Sequence, residues 1–381
     1  MEKITFYQPQ RLVFGKGCFS EFIQDLQEMK LKRLFVLTVP FLKNQVEQEL
    51  DSLAKSDITI SLNSSLNTEP GFSHYHELLE EARGFQPDGV IGIGGGSVLD
   101  LSKILAAMIN NNQKIENVTG IGLLNKRTLF LACLPTTSGT GSEVSPNAIL
   151  LDESDNMKKG IISPFLVPDY TCIDPLLTIG VPADLTASTG IDALTHCLEA
   201  YTNRFAHQMV DLYALEGIRL ISKNLVKAVN DGSDIEAKTA LSTGSMYGGL
   251  CLGPVNTAAV HALSYPLGSQ FKVPHGLANA LLLPYVMEYN LPAAMERYSQ
   301  VAMALGAEQK NTAEDTAYEG VAIVRNLMHQ CGLPNKLSQI GIPVNAIPEM
   351  ALSAVKIQRL MKNNVREILV DDAISIYEKA F

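Results

Sequence analysis

Four side chains in the second half of the chain have the types and settings of a divalent-metal set: Asp192, His196, His261 and His275. The run from Leu185 to Tyr201 is rich in helix formers and poor in breakers, so Asp192 and His196, four positions apart, project from one helix face one turn apart. His261 lies in Ala258-Ala259-Val260-His261-Ala262-Leu263 and His275 in Val273-Pro274-His275-Gly276, both apolar settings flanked by Gly or Pro. One carboxylate with three imidazoles suits Fe, Zn, Co or Ni better than Mg or Ca, which prefer oxygen cages. The same Asp-x-x-x-His spacing also fits an ordinary hydrogen-bonded pair, and a buried histidine is often just a satisfied polar group. The residues alone leave both readings open.

A second kind of chemistry is written earlier in the chain. Gly89-Val90-Ile91-Gly92-Ile93-Gly94-Gly95-Gly96-Ser97-Val98-Leu99-Asp100 reads as an apolar strand whose glycines open a helix running to about Ile109. Glycines let a pyrophosphate approach the backbone, and the free N–H groups of a helix start favour the anion. The plainer alternative is a glycine turn with Ser97 capping the helix. After a strand from Leu129 to Leu134 comes Pro135-Thr136-Thr137-Ser138-Gly139-Thr140-Gly141-Ser142-Glu143-Val144-Ser145. Its small uncharged donors suit the other half of a dinucleotide, delivered at a strand's carboxyl end where open α/β sheets bind ligands. Gly15-x-Gly17, with Ser20 in place of a third glycine, reads as a tight turn feeding a helix.

These stretches need elements to hold them. At 381 residues the chain exceeds the size at which single cores stop growing, and 46% hydrophobic content supports two cores. Strands at 11–14, 33–38, 58–62, 89–94, 129–134 and 148–151 alternate with helices up to about residue 180, which predicts a parallel sheet covered on both faces. Beyond it, helical patterns run over 185–201, 208–229, 235–251, 277–288, 291–305, 313–330 and 351–360. The expected division is 1–180, a dinucleotide-binding α/β domain, and 181–381, an all-helical metal and substrate domain. The net charge of −10 disfavours nucleic acid or an anionic membrane surface as main partner. Six scattered cysteines without a Cys-x-x-Cys pair, no signal pattern in Met1-Glu2-Lys3-Ile4 and no membrane-length apolar run give a cytoplasmic expectation.

Gly94-Gly95-Gly96-Ser97-Val98-Leu99-Asp100, the Pro135 to Glu143 run, Gly190-Ile191-Asp192-Ala193-Leu194-Thr195-His196 and Pro274-His275-Gly276 occur in this order over nearly the full length. Together they resemble the iron-containing (group III) alcohol dehydrogenase family. The resemblance implies α/β plus all-α architecture, with an N-terminal parallel-sheet dinucleotide-binding domain and a C-terminal helical metal-binding domain. It implies Asp192, His196, His261 and His275 as ligands of Fe2+ or Zn2+. Cofactor contacts fall on Gly94, Gly95, Gly96, Ser97, Asp100, Thr136, Thr137, Thr140, Ser142 and Ser145, with Lys159 the best match for a contacting lysine and Lys158 beside it.

Two positions depart from that pattern. Many members carry a second histidine four residues after the third ligand, proposed to relay the substrate proton; here it is Tyr265. A phenol is a far weaker base than an imidazole at neutral pH, so a catalytic role for Tyr265 beside His275 rests on position alone. NAD-preferring members often end the second strand with an aspartate that holds the ribose; here it is Val39, which leaves both NAD and NADP open. The resulting expectation is metal-dependent, NAD(P)-linked hydride transfer on a small alcohol or aldehyde by a homo-oligomer, a dimer first. Alternatives are a hydroxyacid-oxoacid transhydrogenase, a non-redox enzyme of dehydroquinate-synthase type, and a silent binding scaffold.

Overall fold

The structure is a computed structural model and describes residues 3–67 and 69–381. Side chains in a strand point alternately to its two faces, and here both sets are apolar. Phe35, Leu37, Val90, Leu131 and Cys133 enter one core, while Leu34, Val36, Ile91, Ile93, Ala132 and Leu134 enter another. Only strands covered by helices on both sides have that pattern. They belong to a six-stranded parallel sheet ordered β1-β9-β6-β4-β2-β3, with β1 Arg11–Phe14, β2 Arg33–Leu37, β3 Thr59–Asn63, β4 Gly89–Gly94, β6 Phe130–Pro135 and β9 Tyr170–Ile173. Helices α1 (Cys18–Glu28), α2 (Lys43–Leu50), α3 (Phe72–Phe85) and α4 (Gly96–Met108) connect them. Because β3 and β4 continue from β2 to opposite sides, the winding reverses between β2 and β4, and a crevice opens at their carboxyl ends.

A second sheet joins β5 (Gly120–Ile121), β8 (Met157–Ile162) and β7 (Asn147–Asp152), with β7 and β8 forming an antiparallel hairpin. The sequence reading ended its strands at Leu151 and so missed β8 and β9. Lys158 and Lys159 disguise β8, which needs the left-handed Asn156 (φ 53°) to turn back from β7. The four buried residues of β9 carry no alternation to read.

The remaining chain is helical: α5 Ala183–Tyr201, α6 Gln208–Asn230, α7 Ile235–Leu252, α8 Ala259–Phe271, α9 His275–Asn290, α10 Met295–Leu305, α11 Ala313–Gln330, α12 Ile347–Val355, α13 Gln358–Met361 and α14 Val370–Ala380. Helix α5 is buried on nearly every side from Thr186 onward, so it is the axis of this bundle. Helix α8 went unread because Pro266 and Gly268 lie in its last two turns, where a pattern of breakers argues against a helix.

Two compact units result. The sheet unit comprises Tyr7–Thr137 and Ser142–Ile179, and the helical unit comprises Gly180–Phe381, the segment ending at Phe6, and Ser138–Gly141. The last four residues lend the threonine-rich loop to the helical unit, where Gly141 (φ 61°) is required: a Cβ there would stand 2.4 Å from Gly249 Cα of α7. None of the described helices is long and apolar enough to cross a membrane.

Candidate functional site

Asp192 and His196 stand one turn apart on α5, His261 is the third residue of α8 and His275 the first of α9. The helical unit brings all four together. Asp192 Oδ1 lies 3.5 Å from His261 Nε2, 3.7 Å from His275 Nε2 and 3.8 Å from His196 Nε2. Ligand bonds of ~2.0–2.2 Å in a tetrahedron give edges of about 3.3–3.6 Å, which the His261 distance matches and the other two exceed slightly, a spacing near that of donors around one small cation. The donor atoms of Asp192, His261 and His275 fall within 4.8 Å of one another, with His196 outside that triad and its ring stacked on His261 at 4.8 Å. Side-chain exposure is 3–5% for Asp192, His196 and His261 but 29% for His275. The cluster therefore opens on its His275 side.

Two further side chains of the site were not read from the sequence. Glu199, one turn beyond His196 on α5, accepts from His261 Nδ1 at 2.6 Å and from the backbone N–H groups of Ala258 and Val260. It caps α8 from a neighbouring helix and directs the His261 Nε2 lone pair into the cluster. Asn279, one turn after His275, brings its Nδ2 to 2.7 Å from Asp192 Oδ1, 3.1 Å from His261 Nε2 and 3.3 Å from His275 Nε2, while its buried Oδ1 has no partner. With the imidazoles deprotonated at Nε2, as metal binding requires, that amide donor faces three acceptors, a focus of electron-rich atoms that suits a cation. Asp-x-x-x-His-x-x-Glu on one helix was the available signal for Glu199.

The electrostatics agree. Burial pushes the Asp192 carboxyl up, but His196, His275 and His261 outweigh it and hold the group well below the usual carboxylate range. Burial opposes charge on His261 as well, yet Glu199 and Asp192 raise it to about 10. His196 has no such carboxylate on its far nitrogen, and burial lowers its pKa. The backbone of Gly139 acts on His196 electrostatically, but no hydrogen bond of ordinary geometry reaches Nδ1.

In the sheet unit, Gly94, Gly95, Gly96 and Ser97 carry the chain from β4 into α4 at the crevice where the winding reverses. Gly95 is the extended N-cap and offers no side-chain cap to the first-turn N–H groups, which suits an anion. Its Cβ position lies 3.4 Å from Thr137 Oγ1, and Thr136 N donates to Gly94 O at 3.0 Å, so the two loops meet at the ends of paired strands. Across the crevice, Val39 follows β2 in extended conformation, beside a buried Thr38 hydroxyl that has no hydrogen-bond partner among the described residues. A cradle of bare backbone and an orphaned hydroxyl fit a dinucleotide.

Other residues expected at the cofactor have partners of their own within the chain. Lys103, fully buried in α4, donates to Ser142 O at 2.8 Å, Ser142 Oγ at 3.0 Å, Ser145 Oγ at 3.4 Å and Asn147 O. Asp100 accepts from Ser142 Oγ and from Ile149 N at 2.8 Å. The side chains of Asp100, Ser142 and Ser145 thus brace the loop from behind, and Lys103 was missed. Lys159 pairs with Asp155 and lies 3.8 Å from Asp152 at the hairpin turn, while Lys158 points to the other strand face and pairs with Glu69. Thr140 belongs to the helical unit.

A doubly wound sheet unit with a bare-glycine turn opening a helix at its crevice, and a helical unit holding a cluster of one aspartate and three histidines, are the parts a metal-assisted nicotinamide oxidoreductase needs. Residues 9–175 match the family model for iron-containing alcohol dehydrogenase, and 186–381 match its C-terminal counterpart, Fe-containing alcohol dehydrogenase family, C-terminal. The chain is 36% identical to long-chain-alcohol dehydrogenase 1 of Geobacillus thermodenitrificans, over 96% of this chain and 94% of that relative. It is 30% identical to sulfoacetaldehyde reductase of Bilophila wadsworthia over 98% of both. A solved 1,3-propanediol oxidoreductase superposes over 100% of both chains with a TM-score of 0.96 at 30% identity. The chain belongs to the iron-containing alcohol dehydrogenase family and is an NAD(P)-linked oxidoreductase of alcohols and aldehydes.

Proposed function

We propose that this enzyme reduces short aldehydes, and oxidises the matching alcohols, with Asp192, His196, His261 and His275 holding one Fe2+ or Zn2+ ion and the β4 and β6 loops holding NAD or NADP. The convergence of three imidazole Nε2 atoms to within 3.5–3.8 Å of one buried carboxylate oxygen, with Asp192, His261 and His275 the tight triad, carries the reading. When bound, the ion supplies Lewis acidity toward the substrate oxygen and the nicotinamide exchanges a hydride with its carbon. The chain's own residues position. Glu199 keeps His261 in the tautomer whose Nε2 faces the cluster, Asn279 orients the Asp192 carboxylate, and partly exposed His275 borders the way in. Gly94, Gly95, Gly96, Ser97, Thr136 and Thr137 take the phosphates and ribose. Thr140 and Lys159 stay in the cofactor set on family resemblance, with Asp100, Ser142 and Ser145 shaping the loop.

Tyr265 receives a hydrogen bond from Arg359 at 2.8 Å, so it serves as a positioned acceptor rather than a general base in this reading. Mixing NADH or NADPH with a panel of short aldehydes tests the function: cofactor oxidation that needs aldehyde supports it. Turnover that requires a second carbonyl substrate and no added cofactor would favour the transhydrogenase instead. The proposed setting is a homo-oligomer in a reducing cytoplasm, since all six cysteines are buried free thiols; light scattering on the purified protein checks the oligomer.

Two substitutions probe the parts separately. Val39→Asp places a carboxylate at the end of β2, where it accepts from a ribose hydroxyl and repels a 2′-phosphate. The ratio of kcat/KM for NADH over NADPH should rise by at least about tenfold, the scale of one charged hydrogen bond; an unchanged ratio removes Val39 from the cofactor site. Gly276→Ala puts a Cβ 2.4 Å from Ser188 O, forcing α9 away from α5 and shifting His275. Metal affinity should fall by about 10–100-fold, as for other disturbances of ligand orientation, while far-ultraviolet circular dichroism stays that of the parent.

A further inference from the structure

Tyr265 stands one turn after His261 on α8, and its ring lies 6.2 Å from that of His275, the partly exposed member of the cluster. Arg359, on the short helix α13 that packs against α8, donates Nη2 to Tyr265 Oη at 2.8 Å and holds its Cζ 5.5 Å from the ring centroid. Arg297 and Arg325 in the same unit are paired with Asp211 and Glu288. Half-buried Arg359 has no carboxylate partner among the described residues. A guanidinium partly withdrawn from water without a counter-charge is costly, and its fork keeps further N–H donors beyond the one given to Tyr265. The two ring contacts tie Arg359 to His275 through the one ring of Tyr265, so its guanidinium stands in the neighbourhood of the cluster's partly exposed member. In a chain of net charge −10, an anion is drawn there by this local cation and not by the overall field.

We infer that Arg359 receives the anionic end of the substrate, so that the enzyme's aldehydes carry a carboxylate, sulfonate or phosphonate a few carbons from the carbonyl. The inference rests on the dehydrogenase reading above. A planar fork matches such oxyanions in bidentate fashion. The reaction stays balanced: a hydride passes from the nicotinamide to the carbonyl carbon, a proton goes to its oxygen, and the anionic group is unchanged. Tyr265, held by the same guanidinium, lies between the anion and the reacting end.

The test compares kcat/KM of the metal-loaded full chain for succinic semialdehyde, its sulfonate and phosphonate analogues, and neutral butanal, with the three anions separating the headgroups. At least one anionic aldehyde should exceed butanal by about tenfold or more. Arg359→Gln should lose that preference mainly through KM, Arg359→Lys should recover part of it, and butanal should fall far less. Butanal as the best substrate, with Arg359→Gln lowering every aldehyde equally, would show that Arg359 only braces Tyr265, and would leave the dehydrogenase reading intact. If no aldehyde is reduced, that earlier reading fails, and calorimetric binding of propanesulfonate and butyrate decides the inference by itself. Binding lost in Arg359→Gln supports it, and equal binding to both proteins overturns it.

Discussion

Asp192→Asn is expected to leave a folded protein that neither retains metal nor reduces aldehydes. Asp192 Oδ1 lies within 3.8 Å of all three imidazole Nε2 atoms, and its carboxyl is held ionised far below its usual range by those same histidines. Asparagine keeps the volume and offers a neutral oxygen, so the packing of α5 survives while the only negative ligand is gone. The loss in kcat/KM should be on the order of a thousandfold, since the Lewis acid contributes several kcal/mol to the barrier. Substitution with normal metal content and turnover would remove Asp192 from the site. The same cluster predicts a pH dependence. His261, at about 10 against an ordinary 6.5, stays protonated at neutral pH when no metal is bound. The pairing of protonated His261 with Glu199 contributes stability to the metal-free chain fully below about 6.5, and the contribution is lost as pH rises through about 10. A metal ion must displace the proton, so its apparent affinity should fall about tenfold per unit as pH drops below 10; titrations at several pH values read the slope directly.

Lys103→Met should be the most damaging change in the sheet unit. Its ammonium is fully buried and donates to two backbone carbonyls and two serine hydroxyls of the segment after β6. Burial pushes Lys103 down and Asp100 up, and each charge stabilises the other without direct contact. Methionine fills the space but leaves Asp100 as an uncompensated buried carboxylate and orphans the carbonyls of Ser142 and Asn147. Removing one member of such a buried charged network costs about 3–5 kcal/mol. Urea unfolding followed in the sheet unit checks this: a midpoint unchanged from the parent would mean that Lys103 is dispensable.

Much of the architecture was legible because parallel strands buried on both faces leave dense apolar runs, as at Leu34 to Leu37 and Val90 to Ile93. The four-residue spacing put Asp192 and His196 on one face of α5, but by itself it fitted a hydrogen-bonded pair as well as a metal pair. Strand β8 was hidden by its two lysines, whose opposite faces only the hairpin reveals, and α8 by Pro266. Glu199 and Asn279 escaped for a different reason. A glutamate or asparagine inside a helix usually faces water, and only the meeting of α5, α8 and α9 makes them buried partners of the histidines. Lys103 likewise reads as a solvated helix lysine until the segment after β6 folds over it. Asp100, Ser142 and Ser145 were legible as a polar set near the cofactor loop, but which way they pointed depended on a cation that composition could not place.

The most direct test of the central claim adds Fe2+ or Zn2+ stepwise to metal-free protein under anaerobic conditions while following aldehyde-dependent oxidation of NADH and NADPH at 340 nm. Activity that rises from zero and levels off at one equivalent per chain is the predicted result. Full activity before any metal is added, or bound metal at one equivalent with no turnover on any aldehyde, would contradict it.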